Sequence, residues 1–293
     1  MSIHKYQAFL KVAELGSITR AAEAIGYTQS AVSRMIADLE DSWGLTLLRR
    51  SKGGLALSSD GMMLLPYIKE LNTRYEVLTE QVAMLKGLET GFIRIGSCSS
   101  FSTQCLPEIL KEFERRYPKI LFQLKNMEYS DTEDALIAGE IDCGFISAPF
   151  SDELDVTVLM RDRLLAVLPE THPMAEASSY PIRQLYDERI IELSDNANNE
   201  VTKVYEHLKS QLGSPLTAFC EVNDDYSAMA MVESGLGVTV LPELVTKRMP
   251  FRMTLKEFDP PQYRDIGVAV RKGRRSSPAT ERFLQVVLEY FGK

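Results

Sequence analysis

Gln29, Ser30, Ser33 and Arg34 are the first side chains in this chain whose types and spacing suggest a chemistry. Gln and Ser donate and accept through short arms, and Arg adds a rigid fork of donors. In a DNA major groove, these are groups that read base edges and hold phosphates. Positions 29, 30, 33 and 34 share one face of a helix, while Val32, Ile36 and Leu39 recur on another. The helix would therefore be apolar behind and polar in front. A second cluster, Arg49, Arg50 and Lys52, lies beside Gly53-Gly54. Next to such a helix it suits a phosphate or minor-groove contact; alone, it reads as a solvated turn.

These groups need elements to hold them. Residues 1–16 read as a helix with Phe9, Leu10, Val12 and Ala13 facing inward. Ser17 or Thr19 can cap the next helix, which carries Ala21, Ala22 and Ile25, and Gly26 can end it. Thr28 can cap the helix of Gln29 and Arg34. The short turn between the two suits a steep crossing, although a plain helical hairpin has the same periodicity. Leu45, Leu47, Leu55 and Leu57 alternate around Gly53-Gly54 and predict a two-stranded wing, with the basic cluster at its tip and Trp43 beneath it.

Residues 59–87 read as one long helix. Leu64, Ile68, Leu71, Tyr75, Leu78, Val82 and Leu85 are spaced alternately four and three apart, a heptad seam that predicts pairing of two copies. The other reading is an amphipathic helix packed on its own domain. Pro66 is a flaw in the early turns.

The length of 293 residues allows about two domains or more. The net charge of -8 argues against a generally basic nucleic-acid coat, but residues 1–60 hold seven Lys or Arg against six Asp or Glu. So weakly positive a module would bind DNA poorly alone and would need a second copy. No apolar run is long enough to span a membrane, and the N-terminus lacks a secretory pattern, so a cytoplasmic protein is expected. Cys98, Cys105, Cys143 and Cys220 show no metal spacing, and the three histidines are scattered. No metal, no cofactor and no catalytic residue is expected.

From Phe92 onward strands and helices alternate, which predicts a mostly parallel sheet covered by helices. The expected strands are Phe92–Ser97, Ile120–Lys125, Ile141–Ser147, Val156–Pro169, Arg189–Leu193, Ala218–Val222, Gly235–Pro242 and Ile266–Arg271. Helices are expected over 102–117, 131–138, 198–212, 226–233 and 278–291. Ligands bind beyond the carboxyl ends of such strands. The candidates there are Ser99, Ser100, Tyr129, Ser130, Ser147, Ser194, Asp195 and Asn223. Asp195 and Asp224 without an obvious arginine hint at a neutral, amine-bearing or zwitterionic ligand, and Arg161 or Arg163 could reverse that hint. Cys98 also admits a redox role, with Cys105 or Cys143 as the resolving thiol.

Ala21-Ala22, then Thr28-Gln-Ser-Ala-Val-Ser-Arg34 and Leu39-Glu40, closely resemble the DNA-binding segment of LysR-type transcriptional regulators. Phe113 to Pro118, Gly139 to Asp142, Leu164 to Pro169 with His172-Pro173, and Gly235 to Val238 with Leu241-Pro242 resemble the effector-binding part of the same family. The resemblance implies an α/β protein in three parts. Residues 1–58 would be a winged helix-turn-helix, and 59–88 a linker and dimerisation helix. Residues 89–293 would form a two-lobed, Rossmann-like effector-binding domain resembling a type 2 periplasmic binding protein. Lobe I would take about 91–160 and 265–293, lobe II about 161–264. The function implied is ligand-responsive, sequence-specific binding to an interrupted palindrome. The expected partners are double-stranded DNA, a small-molecule effector, further copies of the chain as dimer or tetramer, and RNA polymerase. A transport-type binding protein lacks the helix-turn-helix, and an enzyme would need an elbow or phosphate loop that this sequence does not show.

Overall fold

The structure, a computed structural model, describes residues 2–51, 54–85, 90–193 and 218–293. The chain divides into two compact units. One holds Met1–Gly91 with Ala138–Glu140 and Arg275–Ala279; the other holds Phe92–Ile137, Ile141–Arg274 and Thr280–Lys293.

The first unit opens with α1 (Ile3–Leu15), α2 (Ile18–Ile25) and α3 (Gln29–Trp43). Gly16, Gly26 and Gly44 end them in the left-handed conformation that glycine adopts without a Cβ penalty. Ser17 is the cap of α2, accepting from the Arg20 N–H at 3.4 Å, and Thr28 caps α3, accepting from the Ala31 N–H at 3.2 Å. Ala21 and Ala22 are buried with Phe9, Val12, Val32, Ile36 and Leu39 in one core. The Trp43 ring stacks on Tyr6 of α1, with centroids 6.0 Å apart.

The wing is β1 (Leu48–Ser51) paired antiparallel with β2 (Gly54–Leu57), Leu48 standing opposite Leu57. It starts later than the alternation of Leu45 and Leu47 predicts. The Glu40 carboxylate accepts from the Leu47 and Leu48 N–H groups at 2.6 and 3.2 Å, which ties the strand entry to α3. α4 (Ser59–Leu85) runs unbroken through Pro66 and begins on Ser58, whose Oγ accepts from the Gly61 N–H at 2.9 Å. A Cβ on Gly61 would lie 2.2 Å from the Leu47 carbonyl oxygen, so α4 meets the wing entry at a point only glycine fits.

The second unit contains β3 (Gly91–Ser97), α5 (Ser99–Gln104), α6 (Leu106–Arg116), β4 (Ile120–Asn126), α7 (Tyr129–Ala138), β5 (Cys143–Ser147) and β6 (Leu154–Leu168). After these come β7 (Tyr180–Pro181), β8 (Ile190–Leu193), β9 (Ala218–Val222), α8 (Asp225–Glu233), β10 (Thr239–Pro242), α9 (Glu243–Thr246), β11 (Thr254–Arg271) and α10 (Pro278–Tyr290). The helix expected over 102–117 is two helices, because Pro107, which has no N–H, restarts the helix after Cys105. The helix expected over 198–212 lies outside the described residues.

The main sheet runs β10-β6-β11-β5-β3-β4, with β7 beside β11, while β8 and β9 pair separately. It is mixed rather than mostly parallel. β3 and β5 are parallel, but the spine is an antiparallel ribbon of β6 and β11 that reaches from Leu154 opposite Arg271 to Leu168 opposite Thr254. Its register slips between Glu257 and Gln262, where Pro260 and Pro261 have no N–H to give. Along β6, Leu164, Ala166 and Leu168 face one core with Tyr180 and Phe258, while Val167 faces another with Ile191 and Met229. Among the described residues, no helix is long and apolar enough to cross a membrane, and no group of three His, Cys, Asp or Glu could hold a metal.

Candidate functional site

In the first unit the polar face of α3 is open. Gln29, Ser30 and Arg34 are exposed and Ser33 is half-buried, while Val32, Ile36 and Leu39 turn inward. The Ser30 and Thr28 hydroxyls lie 3.1 Å apart, which fixes the start of the helix. Arg49 and Arg50 are not at the wing tip: both lie on β1. Successive residues of a strand point to opposite faces, so the two cannot serve one surface equally. The Arg49 Nε donates to the Leu57 carbonyl at 3.2 Å, which holds it along the wing. Lys52 lies outside the described residues.

The heptad seam divides. Ile68 is 4% exposed and sits in the core of α1–α3, with Leu64 packed against the same core. These two are corrected from pairing to anchoring positions: they fasten α4 to its own domain. Leu71, Tyr75, Leu78 and Val82 are exposed, Leu78 by 59%. Met63 and Tyr67, 70% and 69% exposed, extend that stripe toward the N-terminus. The apolar face therefore starts one position earlier than the heptad pattern indicates. The Leu85 side chain lies outside the described set.

In the second unit a cleft of about 320 Å³ is lined by Cys98, Ser99, Ser100, Glu128 and Tyr129 from one side and by Leu193, Asn223, Asp224, Asp225, Tyr226, Val245 and Met249 from the other. Arg264 lies at its floor. Its Nε donates to Asp162 at 2.8 Å, one Nη to the Tyr129 hydroxyl at 3.0 Å and the other to Ser100 at 3.2 Å. The second Asp162 oxygen accepts from the Leu244 N–H at 3.2 Å. Both members of this ion pair are buried, and burial pushes the Asp162 carboxyl above the usual carboxylate range against the pull of Arg264. The Cys98 thiol sits 3.2 Å from the Tyr129 hydroxyl and 3.4 Å from Ser100. Burial raises Cys105 to about 11 and Cys143 well above the ordinary thiol value, which disfavours both as thiolates.

Of the expected ligand contacts, Ser99, Ser100, Tyr129 and Asn223 come together in the cleft. Ser130 and Ser147 do not line it. Ser130 follows Tyr129 on α7, where the next residue is turned about 100° away. Ser147 ends β5 opposite Ile266 of β11 and is buried; its Oγ makes no hydrogen bond. Ser194 and Asp195 lie outside the described residues. Arg161 and Arg163 are also not cleft groups. They are exposed, Arg161 pairing with Asp265 at 2.9 Å and Arg163 with Glu243 at 2.9 Å. The latter contact holds the Glu243 carboxyl below its usual range.

The arginine that sequence reasoning missed is Arg264, with its partner Asp162. The two stand directly opposite in the β6/β11 register, as do Arg161 and Asp265. The available signal is the pleat: if 161 and 163 point outward, 162 points inward, and so does 264. Finding it requires knowing that the two runs pair.

Residues 3–62 match the family described as bacterial regulatory helix-turn-helix protein, lysR family, and residues 86–292 match the family described as LysR substrate binding domain. The chain is 30% identical to the HTH-type transcriptional regulator YvbU of Bacillus subtilis, over 100% of this chain and 99% of that one. In fold it is similar to full-length OxyR from Pseudomonas aeruginosa, with a TM-score of 0.76 and 20% identity over 99% of this chain and 94% of that one. It is also similar to full-length CbnR, whose structure was solved in complex with its target DNA, with a TM-score of 0.68 and 19% identity over 99% and 100% of the two chains.

Proposed function

The chain belongs to the LysR family of bacterial transcriptional regulators, and from that premise we propose that it binds an interrupted palindrome as a dimer or a dimer of dimers, under control of a small molecule held in the cleft. The observation that carries this reading is the open polar face of α3. Gln29, Ser30 and Arg34 stand exposed on a helix whose back is locked into a core. Gln and Arg at the start of a recognition helix can form bidentate contacts to base edges, and Ser33 adds a donor and acceptor at its flank. Arg50 and Lys52 would contact phosphates.

Pairing would use the stripe Met63, Tyr67, Leu71, Tyr75, Leu78 and Val82 of α4, continued by Leu85. Exposed apolar patches of this extent are characteristic of interfaces. A second surface supports the tetramer. β4 is an edge strand of the main sheet, and Phe122 and Leu124 are exposed on one face of it with Leu121 exposed on the other. Two different self-association surfaces on one chain allow a dimer to pair again.

In the cleft, Ser99, Ser100, Tyr129 and Asn223 would contact the effector, with Ser194 and Asp195 adding to them. Ser100 and Tyr129 are bonded to Arg264, and Arg264 and Asp162 stand opposite one another on β11 and β6, the strands that would connect the two lobes. A ligand that prefers one arrangement of those lobes shifts their population, and that shift would alter the spacing of the DNA readers. The parts assigned are residues 1–58 for DNA, 59–88 for pairing and 89–293 for the effector, in a cytoplasmic protein able to meet RNA polymerase at a promoter.

A gel-shift titration on the DNA upstream of the protein's own gene tests this. Sequence-selective binding that weakens steeply with salt is expected. No selective binding at any ionic strength overturns it.

A further inference from the structure

Resting on the effector role proposed for the cleft, we infer that its ligand carries a protonated amine at one end and an oxygen acceptor at the other. Arg264 is the cation among the described lining residues, and it is already used. A carboxylate lies 2.8 Å away, and the guanidinium also donates to Tyr129 and Ser100. A buried guanidinium paired in this way offers little net charge to an incoming anion. The other charged groups among the described lining residues are Glu128, Asp224 and Asp225. Three carboxylates at the walls of a concave site focus a negative potential into it, which concentrates cations and repels anions.

The rest of the lining fits the same ligand. Tyr226 is 56% exposed and its ring is held edge-on against Phe251, with centroids 4.6 Å apart. A held aromatic face beside carboxylates is a favourable seat for an ammonium group. At the floor, the Ser100 oxygen accepts from Arg264 and lies 3.4 Å from the Cys98 sulfur, a weak acceptor that a ligand carbonyl or carboxylate oxygen would outcompete for the Ser100 proton. Leu193, Val245 and Met249 supply an apolar middle. The cleft volume is at the small end of the range for ligand pockets, which suits a molecule of amino-acid size.

Thermal unfolding of the full chain with three matched probe sets tests this. The probes are L-amino acids, the amines left when the α-carboxyl is removed, and the 2-oxo acids with oxygen in place of the amino group. A saturable rise in midpoint is expected with an amino acid or amine and not with its matched 2-oxo acid. Glu128→Gln, Asp224→Asn and Asp225→Asn should each weaken that probe by about fivefold, the loss of one partly screened charge contact. Asp224 caps α8, accepting from the Ser227 N–H at 2.8 Å, and Asn keeps that cap, so a loss there is a loss of charge. Binding of 2-oxo acids alone, no response to any amine-bearing probe, or no loss in all three variants overturns the inference. Gel shift on the same preparation separates the two readings. Absent DNA binding sinks the regulator, while intact DNA binding with oxo-acid-only response sinks the ligand class alone.

Discussion

Arg34 stands exposed on α3 beside Gln29 and Ser30, whereas Arg264 is buried against Asp162 and also donates to Tyr129 and Ser100. The groups are chemically alike, a guanidinium beside hydroxyls, but one set faces water and the other is closed on itself. An exposed arginine keeps its donors for a partner and adds little to folding. A buried one must be paired to be tolerated, so it fixes the positions of its neighbours instead. Removing Arg34 should therefore impair recognition, and removing Arg264 should impair the fold around the cleft.

The sharpest test of that difference is Arg264→Met. It leaves the Asp162 carboxylate buried without its partner, and stability in urea at fixed protein concentration should fall by about 3–5 kcal/mol. Adding Asp162→Leu should restore most of the loss. A single variant within about 1 kcal/mol of the parent would mean that Arg264 is solvated, and the contrast would be gone. Leu78→Pro on α4 is next. Proline inside a helix costs about 3 kcal/mol or more, and sedimentation should show monomers. Unchanged sedimentation would remove α4 from the pairing surface. Arg34→Ala and Ser33→Ala should each weaken specific DNA binding by about 1–3 kcal/mol while the melting midpoint stays put. An equal loss on random DNA would recast these residues as phosphate contacts. The smallest effect is expected of Thr28→Ala, about 1 kcal/mol of stability from the lost cap, with Thr28→Ser close to the parent.

The reading unit was largely legible because its parts are neighbours in sequence. Caps at Ser17 and Thr28, stops at Gly26 and Gly44, and the inward triplet Val32, Ile36 and Leu39 are local patterns, and helix geometry converts them directly into a face. The seam on α4 was legible as a helix but not as one exposed face along its full length. Periodicity gives the apolar side but not what covers it, and the core of α1–α3 claims Leu64 and Ile68. The wing start was missed because Glu40, seven residues upstream of Leu47, sets where the strand begins.

The cleft was legible only in outline. The strand-end rule brought in Ser99, Ser100, Tyr129 and Asn223. It also brought in Ser130 and Ser147, because a rule about loops does not say which way each side chain turns. Arg161 and Arg163, which could have reversed the hint about ligand charge, are sent outward by the pleat.

By itself the sequence determined the family, the three helices of the first unit and the polar face of α3, because each of these rests on spacing along the chain. Only the tertiary structure decided that Arg264 meets Asp162, 102 positions away, and through it Ser100 and Tyr129. The physical reason is that strand pairing fixes which residues stand opposite one another, and β6 and β11 acquire that register only when the whole sheet assembles.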